Sequence, residues 1–185
     1  MSEADIIIRP LVREDREWVA HFLDERWGST QIVSHGQAIY GHLLPGFVAE
    51  RVVHPEEDLP QTKDDDATEE NPAVHMEKVG LLTYHVEDDT CEIMTLNSVI
   101  TGEGIGTALL NELKKAAKES NIRRLWLITT NDNLAALRFW QKRDFELVAV
   151  HRGAIADARR LKPQIPITGL YGIPIRDEIE LELLL

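Results

Sequence analysis

The sequence predicts a single α/β domain, residues 1–185, with a twisted mixed sheet at its centre and helices on both faces. Three observations carry this prediction. Segments with strand and helix periodicity alternate in the order strand, helix, strands, helix, strand, helix, strand, strand. Residues 124–130 are apolar on both faces, which is typical of a central parallel strand. A glycine-rich corner at residues 102–106 joins an apolar strand to a helix.

The elements of the first half follow from periodicity and turn residues. Pro10 ends the first strand and Gly28 ends an amphipathic helix. The acidic residues 54–78 have few apolar side chains and no period, so we expect a disordered insertion between two strands of a hairpin. The predicted strands are 5–9, 46–53, 79–86 and 92–99, and the helix is 12–27.

The second half continues with helices that begin after the glycine corner and after Asn133. Residues 151–176 contain repeated prolines and glycines, so we expect one long loop there. The predicted helices are 105–119 and 134–143, and the strands are 124–130, 145–150 and 177–184.

The bulk composition restricts the class of protein. A net charge of −12 and a pI near 5.0 argue against nucleic acid as the main partner, since phosphate contacts need clustered Lys and Arg. The single cysteine, Cys91, excludes an internal disulfide framework and suits a reducing compartment. No run of eighteen apolar residues occurs, so we expect no membrane partner. These features predict a soluble cytoplasmic protein.

The glycine corner has the composition of a phosphate-binding turn. Gly102, Gly104 and Gly106 remove side chains where a ligand would approach the main chain, and the following helix presents unpaired N–H groups to an anion. A Walker loop is excluded because Gly106 is not followed by Lys. A dinucleotide fingerprint is excluded because its third glycine is missing.

Two motifs resemble the GNAT superfamily of N-acetyltransferases. Residues 101–106 match the coenzyme A corner Gln/Arg-x-x-Gly-x-Gly/Ala except at Thr101. Residues 133–145 match the signature Asn-x-x-Ala-x-x-(apolar)-Tyr-x-x-x-Gly-Phe, with Trp140 in place of Tyr and Asp144 in place of Gly. Further similarity to a bacterial and fungal branch, in residues 26–29, 44–47 and 127–133, extends the resemblance over most of the chain.

The resemblance implies a GNAT-like acyl-CoA N-acyltransferase fold and acetyl-CoA as the acyl donor, with no metal. In that fold the strand that ends near Leu96 separates from the next parallel strand, and the pantetheine arm enters the gap. Residues implied to contact the cofactor are Met94, Thr95, Leu96, Gly102, Glu103, Gly104, Ile105, Gly106, Thr107, Asn133 and Trp140. No Lys or Arg follows the corner until Lys114, so the backbone is expected to bind the phosphates largely unaided.

Amine acetylation needs a base, because only a neutral amine has a lone pair for the attack. On the cofactor strand the candidate is Glu92, since alternation places it on the face of Met94 and Leu96. The second candidate is His35, in the region that lines the acceptor site in this family. Trp140 cannot take the role of the family tyrosine that protonates the thiolate, because indole lacks a usable acidic group.

The predicted function is acetyl transfer to an amine, with a small-molecule acceptor expected and homodimerisation left open. Alternatives are an acyl-CoA-binding protein with little turnover, a protein N-acetyltransferase, and an interaction module that acts through the acidic segment. The charge pattern does not identify the acceptor. Residues 54–78 are acidic and favour a cation, whereas the expected acceptor-side loop, 151–176, is basic and favours a carboxylate or phosphate.

Overall fold

A computed structural model describes residues 6–34, 36–53 and 75–185 of the chain. Within these ranges there are nine strands and four α-helices. The strands are β1 (Ile6–Pro10), β2 (Gln31–Ser34), β3 (Gln37–Tyr40), β4 (Gly46–Val53), β5 (His75–Glu87), β6 (Thr90–Ser98), β7 (Arg124–Thr130), β8 (Glu146–His151) and β9 (Glu178–Leu184). The helices are α1 (Arg16–Trp27), α2 (Ile105–Glu119), α3 (Leu134–Gln141) and α4 (Ala154–Leu161).

Seven strands form one mixed sheet in the order β1-β4-β5-β6-β7-β9-β8. The neighbouring strands β6 and β7 are parallel, and the other neighbouring pairs are antiparallel. Strands β2 and β3 form a separate hairpin. The predicted mixed sheet is therefore confirmed.

Helices cover both faces of the sheet. Successive side chains of β5 accordingly pack into two different apolar clusters, one on each face. Leu81 packs with Phe22 and Leu23 of α1, whereas the next residue, Leu82, packs in the larger cluster that contains α2. Helix α3 joins the larger cluster through Trp140. The sheet thus separates an α2 and α3 layer from an α1 layer.

A buried ionic cluster ties the first strand to the middle of the sheet. Asp15 is 3 % exposed, and its carboxylate accepts hydrogen bonds from Arg9 at 2.7 and 3.0 Å and from Lys78 at 2.6 Å. These bonds hold the pKa of Asp15 well below its usual range. Arg9 also pairs with Glu50 of β4 at 2.7 Å.

The position of Lys78 corrects the predicted bounds of the acidic insertion. Strand β5 begins at His75, so residues 75–78 pair with β4 instead of belonging to a disordered segment. Pairing with β4 gives residues 75–78 a strand conformation that their composition did not indicate. The remainder of the predicted insertion, residues 54–74, lies outside the described residues.

Two further elements differ from the predictions. The predicted loop at 151–176 contains helix α4, which begins after Gly153 in a left-handed conformation, φ +76°. Helix α4 is only eight residues long and lies beside prolines and glycines, so its hydrophobic periodicity could not be distinguished in the sequence. The hairpin of β2 and β3 was also absent from the predictions. Within the described ranges, no helix is long and apolar enough to span a membrane.

Candidate active site

The glycine corner turns the chain from β6 into α2 through two left-handed residues. Gly102 has φ +89° and Gly104, the residue before α2, has φ +78°. A Cβ atom at either position would meet no other atom within 4 Å, so open space lies in front of the turn. The amino-terminal N–H groups of α2 border that space, where the helix dipole favours an anion.

Arg143 reaches this corner from the end of α3. Its Nε and Nη2 atoms donate to the Thr107 hydroxyl at 3.2 and 2.5 Å, and Nη1 donates to the Phe139 carbonyl at 2.8 Å. The guanidinium also lies 3.6 Å from the centre of the Phe139 ring. Burial lowers the pKa of Arg143.

Arg143 places a cation beside the corner, where the sequence showed no Lys or Arg before Lys114. Arg143 and Phe139 line the same cavity as Gly102, Gly104 and Thr107. In the sequence Arg143 is 36 residues from Thr107. No spacing rule relates the two positions, because only the packing of α3 on α2 brings them together.

The sheet opens next to this corner. Parallel pairing of β6 with β7 joins Thr90 to Arg124, Cys91 to Leu125 and Glu92 to Trp126, and it ends there although both strands continue. The main chain from Met94 to Leu96 therefore borders a gap between the strands. The predicted separation of the strand that ends near Leu96 from its parallel neighbour is confirmed.

A bulge in β6 changes the face on which Glu92 lies. Thr95 pairs with Thr83 and Ile93 pairs with Tyr84, so Met94 is an extra residue in the register. Partners across a pair share a face, and Glu92 consequently shares the face of Thr95, not that of Leu96. The alternation expected for Glu92 and Leu96 is wrong, because a bulge interrupts the period of two.

The bulge turns the Glu92 side chain toward β2, where the carboxylate is held by a neighbour from the hairpin. Glu92 is 8 % exposed, and its Oε1 accepts a hydrogen bond from the Ser34 hydroxyl at 2.5 Å. Ser34 was missed in the sequence because the hairpin itself was missed. The second predicted base, His35, lies outside the described residues.

Glu92 lines a cavity of about 240 Å³ formed by β2, β6, β7 and α4. Met94 and Ile128 border it from the two separated strands, so the gap in the sheet opens into this cavity. Two more buried ionisable side chains line it, Lys162 at 7 % and Glu178 at 4 % exposure. Its other walls include the apolar side chains Trp27, Ile32, Ile155, Ile165 and Ile175.

The α3 residues predicted to touch the cofactor have different surroundings. The Asn133 side chain accepts a hydrogen bond from the Ala136 N–H at 3.1 Å, so it caps α3, and it also lines the cavity that contains Glu92. Trp140 is 5 % exposed and packs edge-on against Phe139 and Phe145 in the core. The structure therefore places Trp140 behind Phe139 in the core.

The remaining predicted residues lie around the corner. Glu103 is exposed, and Ile105 is buried in the α2 cluster, so Ile105 can offer a ligand only its main chain. A Cβ atom on Gly106 would lie 3.3 Å from the Phe139 ring. Asp144, which stands where the family has glycine, has φ +68°, a left-handed conformation that Asp tolerates at the end of a helix.

A mixed sheet that opens beside a glycine-rich corner is the arrangement that the resemblance to the GNAT acetyltransferases implies. Residues 37–145 match the family model "Acetyltransferase (GNAT) family". The chain is 38 % identical over 172 residues to YxbD, an uncharacterized protein of Bacillus subtilis (strain 168), covering 93 % of this chain and 94 % of that protein. The chain belongs to the GNAT acetyltransferase family.

Solved structures share the fold at low sequence identity. An IAA acetyltransferase from Bacillus cereus ATCC 14579 superposes with a TM-score of 0.61 at 20 % identity, covering 98 % of this chain and 100 % of that chain. A GNAT family acetyltransferase from Elizabethkingia anophelis, with acetyl-CoA bound, superposes with a TM-score of 0.59 at 18 % identity. The superposition covers 98 % of this chain and 99 % of that chain. At these identities the likeness concerns the fold.

Proposed function

We propose that the protein transfers an acetyl group from acetyl-CoA to a primary amine of a small molecule by direct attack. The observation that carries this proposal is the opening between β6 and β7. On one side of it lies the glycine corner with Arg143, and on the other a cavity that holds the buried carboxylate of Glu92.

The described residues fit coenzyme A at the corner. The open space before Gly102 and Gly104 suits a diphosphate, and the N–H groups of residues 102–106 would hold it. Arg143 would add the positive charge that Thr101 does not provide, because its own hydrogen bonds go to neutral oxygens. The main chain from Met94 to Leu96 would hold the pantetheine arm.

When bound, acetyl-CoA supplies a thioester carbonyl to the cavity. The amine nitrogen forms a bond to the carbonyl carbon, the C–S bond breaks, and the products are an amide and the coenzyme A thiolate. Glu92 takes the proton that the ammonium form must lose before the attack, directly or through one water molecule, and the nitrogen releases a second proton to solvent as the amide forms. The thiolate takes a proton from solvent, because Trp140 is buried in the core and its N–H is not an acid.

Ser34 acts on this chemistry through Glu92. The 2.5 Å hydrogen bond from its hydroxyl holds the Glu92 carboxylate in a fixed orientation at the wall of the cavity. We assign Ser34 as a positioning residue and Glu92 as the catalytic base.

The test measures thiol release from acetyl-CoA over a broad panel of primary amines, with product mass as confirmation. Turnover with at least one amine, together with its loss in Glu92→Gln at unchanged coenzyme A affinity, supports the proposal. Binding of coenzyme A without turnover of any amine would instead support an acyl-CoA-binding protein. Acetylation confined to peptide amino termini would support a protein N-acetyltransferase.

A further inference from the structure

The basic residues of the segment 151–176 have distinct environments. Arg159 donates to the main-chain carbonyls of Ile165, Pro166 and Ile175, so it holds its own loop together. Arg160 and Arg176 are exposed and pair with Asp157 and Asp177. Lys162, by contrast, is buried and lines the cavity that contains Glu92.

The ammonium group of Lys162 has neutral partners in the described structure. Its Nζ atom donates to the Gln31 carbonyl at 3.0 Å and, more weakly, to the Trp27 carbonyl at 3.4 Å. Among the residues described, no carboxylate forms an ion pair with it, and a third N–H remains for another acceptor. Burial lowers the pKa of Lys162, which means that the surroundings penalise its charged form.

A buried ammonium group is costly unless an anion compensates it. The cavity could receive such an anion from a ligand, since Lys162 and Glu92 line the same space from opposite elements, the end of α4 and the strand β6. At about 240 Å³ the cavity is smaller than the ~300–1,000 Å³ of ordinary ligand pockets, so the acceptor must be compact.

We propose that the acceptor is a small amino acid with an apolar body, whose carboxylate binds Lys162 while its amine lies at Glu92. This inference rests on the proposed function and specifies its substrate class. The apolar body would contact Trp27, Ile32 and Ile155, which line the same cavity. A peptide amino terminus lacks the carboxylate beside its amine and would bring no anion to Lys162.

The test uses matched acceptors: leucine, leucinamide and 3-methylbutylamine, with the corresponding series for alanine, valine, methionine and phenylalanine. We expect the wild-type kcat/KM to be about 30-fold or more higher for the acid than for the amide or the amine. Lys162→Met should remove most of this preference by lowering kcat/KM for the acid. The matched control is Arg160→Met, which removes an exposed charge two residues away and should keep the preference.

The wild-type comparison needs no variant, so misfolding of Lys162→Met cannot obscure the answer. Equal or better turnover of the amides and amines, or turnover confined to acceptors without a carboxylate, would overturn the inference and leave the proposed function intact. A preference that persists in a folded Lys162→Met, with unchanged melting temperature and coenzyme A affinity, would also overturn it. The absence of turnover with any amine would instead reject the proposed function.

Discussion

Arg143→Gln should weaken coenzyme A binding without unfolding the protein. The substitution removes the charge and shortens the side chain, while Gln keeps polar groups near the Thr107 hydroxyl. Arg143 bonds only to the neutral oxygens of Thr107 and Phe139 in the described structure, so no buried charge loses its partner. We therefore expect a change in the free energy of unfolding below about 1 kcal/mol, as for other substitutions outside the core.

The size of the binding loss follows from the interaction removed. A hydrogen bond to a charged group contributes roughly 1.5–3 kcal/mol. Arg143 is already held beside the corner by its bonds to Thr107 and by the Phe139 ring, so little ordering is lost on binding and the upper part of that range is expected. A loss of about 2–3 kcal/mol raises the Kd for coenzyme A by about 30- to 150-fold.

Isothermal titration with three ligands isolates this interaction. Coenzyme A and dephospho-coenzyme A both carry the diphosphate, and both should lose affinity equally for Arg143→Gln. Pantetheine has no phosphate, and its affinity, measured by competition, should not change. Salt should weaken diphosphate binding less in the variant, because one fewer cation faces the ligand.

Lys118→Gln provides the control, because it removes the same charge from an exposed position near the far end of α2. Fourteen residues of helix, about 21 Å, separate Lys118 from Gly104. Equal Kd values for coenzyme A in the wild type and Arg143→Gln, or an equal loss of pantetheine affinity, would refute the assignment of Arg143 to the diphosphate.

Three further changes test other parts of the structure. Glu92→Gln should lower kcat by roughly 10²–10⁴ at pH 7, with the deficit shrinking in pH–rate profiles as more acceptor becomes neutral; a pH-independent loss would contradict a role as base. Gly106→Glu should abolish the melting-temperature shift that acetyl-CoA gives the wild type, since its side chain would press on Phe139 and repel phosphate; a folded variant with the full shift would contradict the cofactor assignment. Asp15→Asn should lower the free energy of unfolding by about 3 kcal/mol at pH 7 in denaturant titrations, because it breaks a buried ionic cluster. The folded-state pKa of Asp15 lies well below its unfolded value of about 4, so its contribution is complete above that pH and decreases as the pH falls toward the folded-state pKa; a wild-type advantage over Asp15→Asn that was as large at pH 2 as at pH 7 would contradict this reasoning.

The sequence predicted those elements whose signals are local. Strands β4 and β7 have the predicted bounds, because each is rich in apolar and β-branched residues. Helix α2 likewise ends at Glu119 as predicted, since its apolar stripe is long. Helix α4, with eight residues, and the hairpin of β2 and β3, with four residues in each strand, were missed. Segments this short show no clear hydrophobic periodicity.

The glycine corner was also readable from the sequence. Only glycine adopts φ values near +80° without strain, so Gly102 and Gly104 indicate a special turn wherever they lie in space. Together with the second motif they identified the family and the separation of β6 from β7, and the fold confirms both. The glycine conformations and the motif spacing both depend on residues that are close together in the sequence. They can therefore be recognised without the tertiary structure.

The tertiary structure decided which side chains meet at the site. Arg143 reaches Thr107 only because α3 packs beside α2, and Ser34 reaches Glu92 only because the hairpin folds over β6. The bulge at Met94 turns Glu92 away from the face of Leu96. One extra residue in a strand changes neither the composition nor the hydrophobic periodicity enough to be predicted from the sequence. The sequence by itself therefore determined the family, the sheet and the glycine corner, whereas the charges beside that corner and in the adjoining cavity depend on contacts between segments distant in the chain.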